Sequence, residues 1–197
     1  MNRERGRARA IERRAGAQAY VLAYLRAHPC LDCGEQDADV LEFDHVHGKR
    51  TEVSVLVHKG MGQPALAQEI ANCEVVCANC HRRRTARRGG WRRERDRWTT
   101  ASYRSTGVAR NAAYAYGILA ERGCADCGER DLVVLDFDHI DGKVANVSSL
   151  VRSGCRLATV VTEIARCEVR CANCHRRRTR ERGGHYRHRA PKLDGPP

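Results

Sequence analysis

The stretch Cys77-Ala78-Asn79-Cys80-His81-Arg82-Arg83-Arg84 occurs twice in this chain, and its second copy is Cys171-Ala172-Asn173-Cys174-His175-Arg176-Arg177-Arg178. The offset is 94 residues. Working outward, the same offset carries Cys30-Leu31-Asp32-Cys33-Gly34-Glu35 onto Cys124-Ala125-Asp126-Cys127-Gly128-Glu129. It carries Phe43-Asp44-His45 onto Phe137-Asp138-His139, Gly48-Lys49 onto Gly142-Lys143, and Glu69-Ile70-Ala71 onto Glu163-Ile164-Ala165. No insertion or deletion intervenes, so the chain is a whole-unit duplication. Each copy holds its own cysteine set, which makes it a tandem of two units and not a solenoid.

Cys30, Cys33, Cys77 and Cys80 form one set of four, and Cys124, Cys127, Cys171 and Cys174 the other. Two residues between thiolates let both sulfurs reach one tetrahedral ion from a tight turn. The two Cys-x-x-Cys pairs of a copy are separated by 43 residues, so something folds between them. Two structural zinc ions are expected. A redox role for Cys-x-x-Cys belongs to a thioredoxin-like context, which this pattern lacks. Cys73 and Cys167 match across the copies and read as core residues, and Cys155, without a counterpart, as a small buried hydrophobe.

Aromatic residues make up 5% of the 197 and charged residues 30%, which argues against one large core and for small stapled domains. Met1 to Arg14 is arginine-rich with no apolar segment behind it, and no apolar run is long enough to span a membrane. These features predict a cytoplasmic protein with reduced thiols and no membrane partner. The net charge is +12. Two four-thiolate zinc sites at about −2 each would lower it to roughly +8, still basic enough to favour a polyanionic partner.

Each copy reads as an α+β unit preceded by a helix, around residues 11–27 and 108–121, with Tyr20, Tyr24 and Leu25 or Tyr114, Ile118 and Leu119 on its apolar side. A Cys-x-x-Cys turn follows, then a short strand at 40–45 or 133–139. The segment holding Val53 and Leu56 reads as strand or turn. A helix is expected at 65–72 and 159–166, and a final helix from near Cys80 or Cys174. The predicted domains are residues 1–90 and 108–184, joined by a basic linker at 91–107 and followed by a disordered tail at 185–197.

A strand ending in Asp-His, a glycine-containing loop and a closing Cys-x-x-Cys-His on a helix resemble the HNH endonuclease family in its four-cysteine, zinc-stapled form. The resemblance covers residues 30–85 and 124–179. It implies two tandem ββα-metal domains and a divalent-metal-dependent DNA endonuclease. By this resemblance His45 and His139 are general bases. Asp44 with His81, and Asp138 with His175, are ligands of a catalytic divalent ion, Mg²⁺ or Mn²⁺, that leave coordination positions open for water and phosphate. The family's loop-bracing asparagine falls on Asn72, but on Arg166 in the second copy, which puts that copy in doubt. Asn79 and Asn173 are further bracing or helix-capping candidates.

Lys49, Arg82, Arg83, Arg84, Lys143, Arg176, Arg177 and Arg178 are expected to contact DNA phosphates and position the duplex without reading sequence. Tryptophan within the linker, at Trp91, could stack on bases. Two alternatives stand beside the nuclease. A non-catalytic zinc-finger-like DNA-binding protein would need the cysteines and arginines but not Asp-His and the final His. A recombination endonuclease VII-like enzyme typically carries Asn after the last cysteine, where this chain has His81 and His175.

Overall fold

The computed structural model describes residues 2–89 and 107–183. The expected linker, with Trp91, and the expected tail lie outside the described residues apart from Gly107. The described residues are mixed α+β, with two two-stranded antiparallel sheets and two four-cysteine clusters. Helix α1 (Asn2–Ala27) is followed by β1 (Leu41–His45), α2 (Val53–Lys59), α3 (Gln63–Ile70), β2 (Cys73–Cys77) and α4 (Ala78–Arg87). The order recurs as α5 (Gly107–Arg122), β3 (Leu135–His139), α6 (Val147–Ser153), α7 (Leu157–Ile164), β4 (Cys167–Cys171) and α8 (Ala172–Glu181). Among the described residues, no helix is long and apolar enough to cross a membrane.

Two elements differ from expectation. Helix α1 begins at Asn2, well before residue 11, because its arginine- and alanine-rich start is made of strong helix formers. The Val53 segment is a helix, as is its counterpart. Val53, Leu56 and Val57 stand at helical spacing and turn one face to the core, and this packing overrides their β-branched preference.

The chain divides into two compact units whose boundaries fall inside helices α4 and α8. One runs through Cys80 and resumes at Arg176; the other is His81–His175. In the first unit, Ala17, Val21 and Leu25 of α1 pack with Val40, Leu41, Leu66, Ile70 and Val76. The β1–β2 register sets Leu41 opposite Cys77 and His45 opposite Cys73, so the sheet brings the second cysteine pair under the first. Arg177 of α8 closes this unit, bonding Asp37 at 2.8 Å and Glu35 at 2.6 Å, while Arg176 and Arg180 reach Glu42 and Asp39.

In the second unit, Ala112 and Ala115 of α5 pack with Val147, Val151, Val160 and Ile164, and Leu119 with Val134, Leu135 and Val169. Leu135 stands opposite Cys171 and His139 opposite Cys167. The corresponding arginines of α4 close it. Arg82 meets Asp136 at 2.6 Å, and Arg83 meets Asp131 at 2.8 Å and Glu129 at 2.5 Å. Each unit therefore combines the core of one repeat with the arginine helix of the other, and the pairs match at the offset of 94.

Leu25 has no exposed surface, whereas Leu31 is 65% exposed. Leu25→Ala is expected to lower unfolding stability by about 2–5 kcal/mol and Leu31→Ala by less than about 0.5 kcal/mol. Urea denaturation of the two variants checks this, and equal losses would refute the placement of the core.

Candidate metal centres and the Asp-His strands

Each four-cysteine cluster is assembled from a turn and a helix start. Gly34 at φ 74° and Gly128 at φ 75° reverse the chain after the first cysteine pair, in a left-handed conformation that glycine adopts without penalty. The Cys30 amide donates to the Glu35 carbonyl and the Cys124 amide to that of Glu129, each at 2.8 Å, closing the turn. The Leu31 amide then bonds the Val75 carbonyl, and Ala125 that of Val169, tying the turn to the strand that carries the third cysteine. The fourth sits in the first turn of α4 or α8.

The sulfurs of each set lie within 4.8 Å of one another. Cys33 and Cys77 are 3.7 Å apart, and Cys127 and Cys171 3.8 Å. A tetrahedral ion with metal–sulfur bonds of ~2.3 Å spaces its sulfurs ~3.8 Å apart, so the clusters are compatible with two structural zinc ions. Their electrostatics also call for a cation. Burial works against ionisation of Cys124, but backbone amides of Cys171, Cys127 and Asp126 outweigh it and bring the thiol down to about 7. Cys80 and Cys174 are pushed up, first by burial and then by the neighbouring Cys77 and Cys171. Cys73, Cys155 and Cys167 stand outside both sets. The thiols of Cys73 and Cys167 donate to the Glu69 and Glu163 carbonyls, and that of Cys155 to the Leu150 carbonyl.

Asp44 and His45 end β1, and Asp138 and His139 end β3. Adjacent strand residues face opposite ways, and here each member of the dipeptide finds its own partner. Asp138 is buried, and its Oδ1 lies 3.5 Å from His175 Nε2, so two expected ligands come together in the second copy. Asp44 is equally buried at the same register position, and His81 follows Cys80 on α4.

On the other face, His45 Nε2 meets Glu69 Oε1 at 2.9 Å and His139 Nε2 meets Glu163 Oε1 at 2.8 Å. These glutamates were not among the expected site residues. Both are buried, and each also accepts two amides of the loop after the strand, Arg50 and Thr51 or Val144 and Ala145. Burial pushes the Glu69 carboxyl up, but the Thr51 and Arg50 amides and the His45 ring hold it below its ordinary value. The Ala145 amide leads the same downward shift at Glu163. A neutral imidazole facing an ionised carboxylate donates its proton there, which leaves the Nδ1 lone pair as the basic one. The repeated Glu69-Ile70-Ala71 and Glu163-Ile164-Ala165 was the available signal.

The expected loop brace acts through the main chain. The Asn72 carbonyl accepts from the Val46 and His47 amides at 3.0 and 3.3 Å, while its side chain donates to the Gln68 carbonyl. In the second copy the Arg166 carbonyl accepts from Ile140 at 2.9 Å, and its guanidinium bonds the Gly142 carbonyl of the same loop at 3.0 Å. The change from Asn72 to Arg166 thus keeps the main-chain brace. Asn79 and Asn173 are buried in the first turns of α4 and α8.

Among the basic residues, Arg82, Arg83, Arg176 and Arg177 carry the carboxylate pairs described above. Arg84 is half-buried on α4, Arg178 pairs with Glu181 at 3.4 Å on the surface, Lys49 pairs with Glu52, and Lys143 is exposed in its loop. Comparison with protein-family profiles, with curated proteins and with solved structures finds no match for this chain.

Metal analysis of the purified chain is expected to find two zinc ions, falling to one in Cys77→Ser; a zinc-free, folded protein would rule out the clusters as zinc sites. Glu69→Ala strips His45 and two loop amides of a buried acceptor and is expected to cost roughly 2–4 kcal/mol. Hydrogen exchange at the Arg50 and Thr51 amides should accelerate in that variant. Unchanged exchange would exclude the brace.

Proposed function

We propose that this chain is a divalent-metal-dependent DNA endonuclease of the HNH type, built from two tandem ββα-metal units each stapled by a structural zinc ion. The observation that carries the reading is the repeated pairing around each Asp-His strand end. In both copies the strand-end histidine is held by a buried glutamate. A protein that used its cysteines and arginines only to bind DNA would have no need of a buried Glu-His pair beside each strand end.

In the proposed reaction Asp44 and His81 would hold the divalent ion, Mg²⁺ or Mn²⁺, which would supply positive charge to the phosphate and the departing oxygen. Glu69 fixes His45 through Nε2. Nδ1 of His45 takes a proton from water as the water oxygen bonds to phosphorus. The bond from phosphorus to the 3′ oxygen breaks, leaving a 5′ phosphate and a 3′ hydroxyl. Lys49, Arg84, Lys143 and Arg178 are the proposed phosphate contacts. The surface ion pairs of Lys49 and Arg178 are worth only about 0–1 kcal/mol and exchange readily for phosphate. Arg82, Arg83, Arg176 and Arg177 contribute instead by holding α4 and α8 in place.

Incubation of plasmid with zinc-loaded protein and Mg²⁺ or Mn²⁺ is expected to yield cut DNA, with His45→Ala slower by about 10²–10⁴-fold. Plasmid left intact under both metals, at low salt, would end the nuclease reading. Retained, salt-sensitive DNA binding in that case would select the binding-protein alternative.

A further inference from the structure

The two copies differ at two positions on the face that carries the aspartate, Glu42 against Asp136, which keeps the charge, and Val76 against Arg170, which changes it. Strand β2 reads Cys73-Glu74-Val75-Val76-Cys77 and strand β4 reads Cys167-Glu168-Val169-Arg170-Cys171. Register places Glu168 opposite Asp138 and Arg170 opposite Asp136, so Arg170 lies one step along the face from Asp138. Val76 holds the same place in the first copy, opposite Glu42.

Arg170 is 3% exposed. Its Nη1 donates to Asp138 Oδ2 at 2.9 Å, its Nε to Asp126 Oδ2 at 2.9 Å, and its Nη2 to Glu168. We propose that the second copy binds no divalent ion, because the Arg170 guanidinium holds the cationic position beside Asp138, leaving the first copy as the single cutting centre. The inference rests on the nuclease reading for its consequence and on Arg170 for its cause.

The donor set of the second copy does not fit the ion. A guanidinium stays a cation at any accessible pH. Swinging into solvent would strip the buried carboxylate of Asp138 of its guanidinium partner. A divalent ion at Asp138 would also lie within a few ångströms of a like charge. Asp32, Asp44 and Glu74 are the first-copy counterparts of the three carboxylates that Arg170 gathers, and there the strand offers a buried valine with no charge.

Mn²⁺ titration of the zinc-loaded full chain, followed by electron paramagnetic resonance, tests this. Thiolate clusters prefer zinc, so added Mn²⁺ reports on the Asp-His sites. One bound Mn²⁺ per chain is expected, lost in Asp44→Asn and retained in Asp138→Asn. Arg170→Val is expected to raise the count to two with zinc content unchanged at two. Two Mn²⁺ ions in the natural chain, or one that survives Asp44→Asn and disappears in Asp138→Asn, would overturn the inference while leaving the nuclease reading intact. No Mn²⁺ in the natural chain but one in Arg170→Val would support the blocking role of Arg170 and overturn the first-copy metal site. No Mn²⁺ in either would overturn both.

Discussion

Four thiolates crowded at van der Waals distance repel one another and are stable only around a cation. Each repeat is organised by that constraint. The cluster joins a turn at one end of the repeat to the junction of strand and helix at the other, across the 43 intervening residues. Fixing this junction fixes where β2 stops and α4 begins, and so where the residue after the fourth cysteine stands. The strand pairing then sets Asp44 and His45 at a defined distance from the cluster, since Leu41 opposite Cys77 determines every later pair. A one-residue slip would exchange the faces of Asp44 and His45 and separate each from its partner.

The second organising contact is the buried carboxylate of Glu69, or Glu163. One oxygen receives the strand-end histidine and two amides of the loop that follows. A single buried group therefore orients a side chain and closes a loop at once. Such an arrangement tolerates replacement badly, because every partner it serves would lose its acceptor in a poorly solvated place. The main-chain brace at Asn72 and Arg166 reinforces the same loop from the other side, and because it uses a carbonyl it is indifferent to the side chain. This explains how the two copies keep one loop geometry with an asparagine in one and an arginine in the other.

The duplication, the cysteine sets, the helix before each turn and the strand ending in Asp-His were legible because they depend on local spacing or on exact repetition. The helix at Val53 was not, since a seven-residue segment rich in β-branched residues carries too little pattern to separate helix from strand, and its packing against α1 decides. The Glu-His pair was not legible either. Glu69 lies 24 residues from His45, and nothing in that separation announces a contact that only the fold creates. The arginine triplets were misleading in another way. A run of arginines on a helix reads as a solvated, phosphate-seeking face, but the carboxylates that meet Arg82, Arg83, Arg176 and Arg177 belong to the other repeat. A net charge of +12 is thus not a measure of the cationic surface, since part of the arginine excess is neutralised inside each unit.

A duplicated chain contains its own comparison. Positions that agree between the copies include all eight clustered cysteines, the Asp-His dipeptide, the buried glutamate and the histidine after the fourth cysteine. Among them the buried glutamate serves several partners at once, so its substitution would break more than one contact. Val76 and Arg170 disagree at a position where both residues satisfy the fold, one by filling apolar space and the other by bonding three carboxylates. The fold alone accepts either solution. The asymmetry lies in the charge of the two strand faces, while the four-cysteine set and the Glu-His pair that build those faces are common to both.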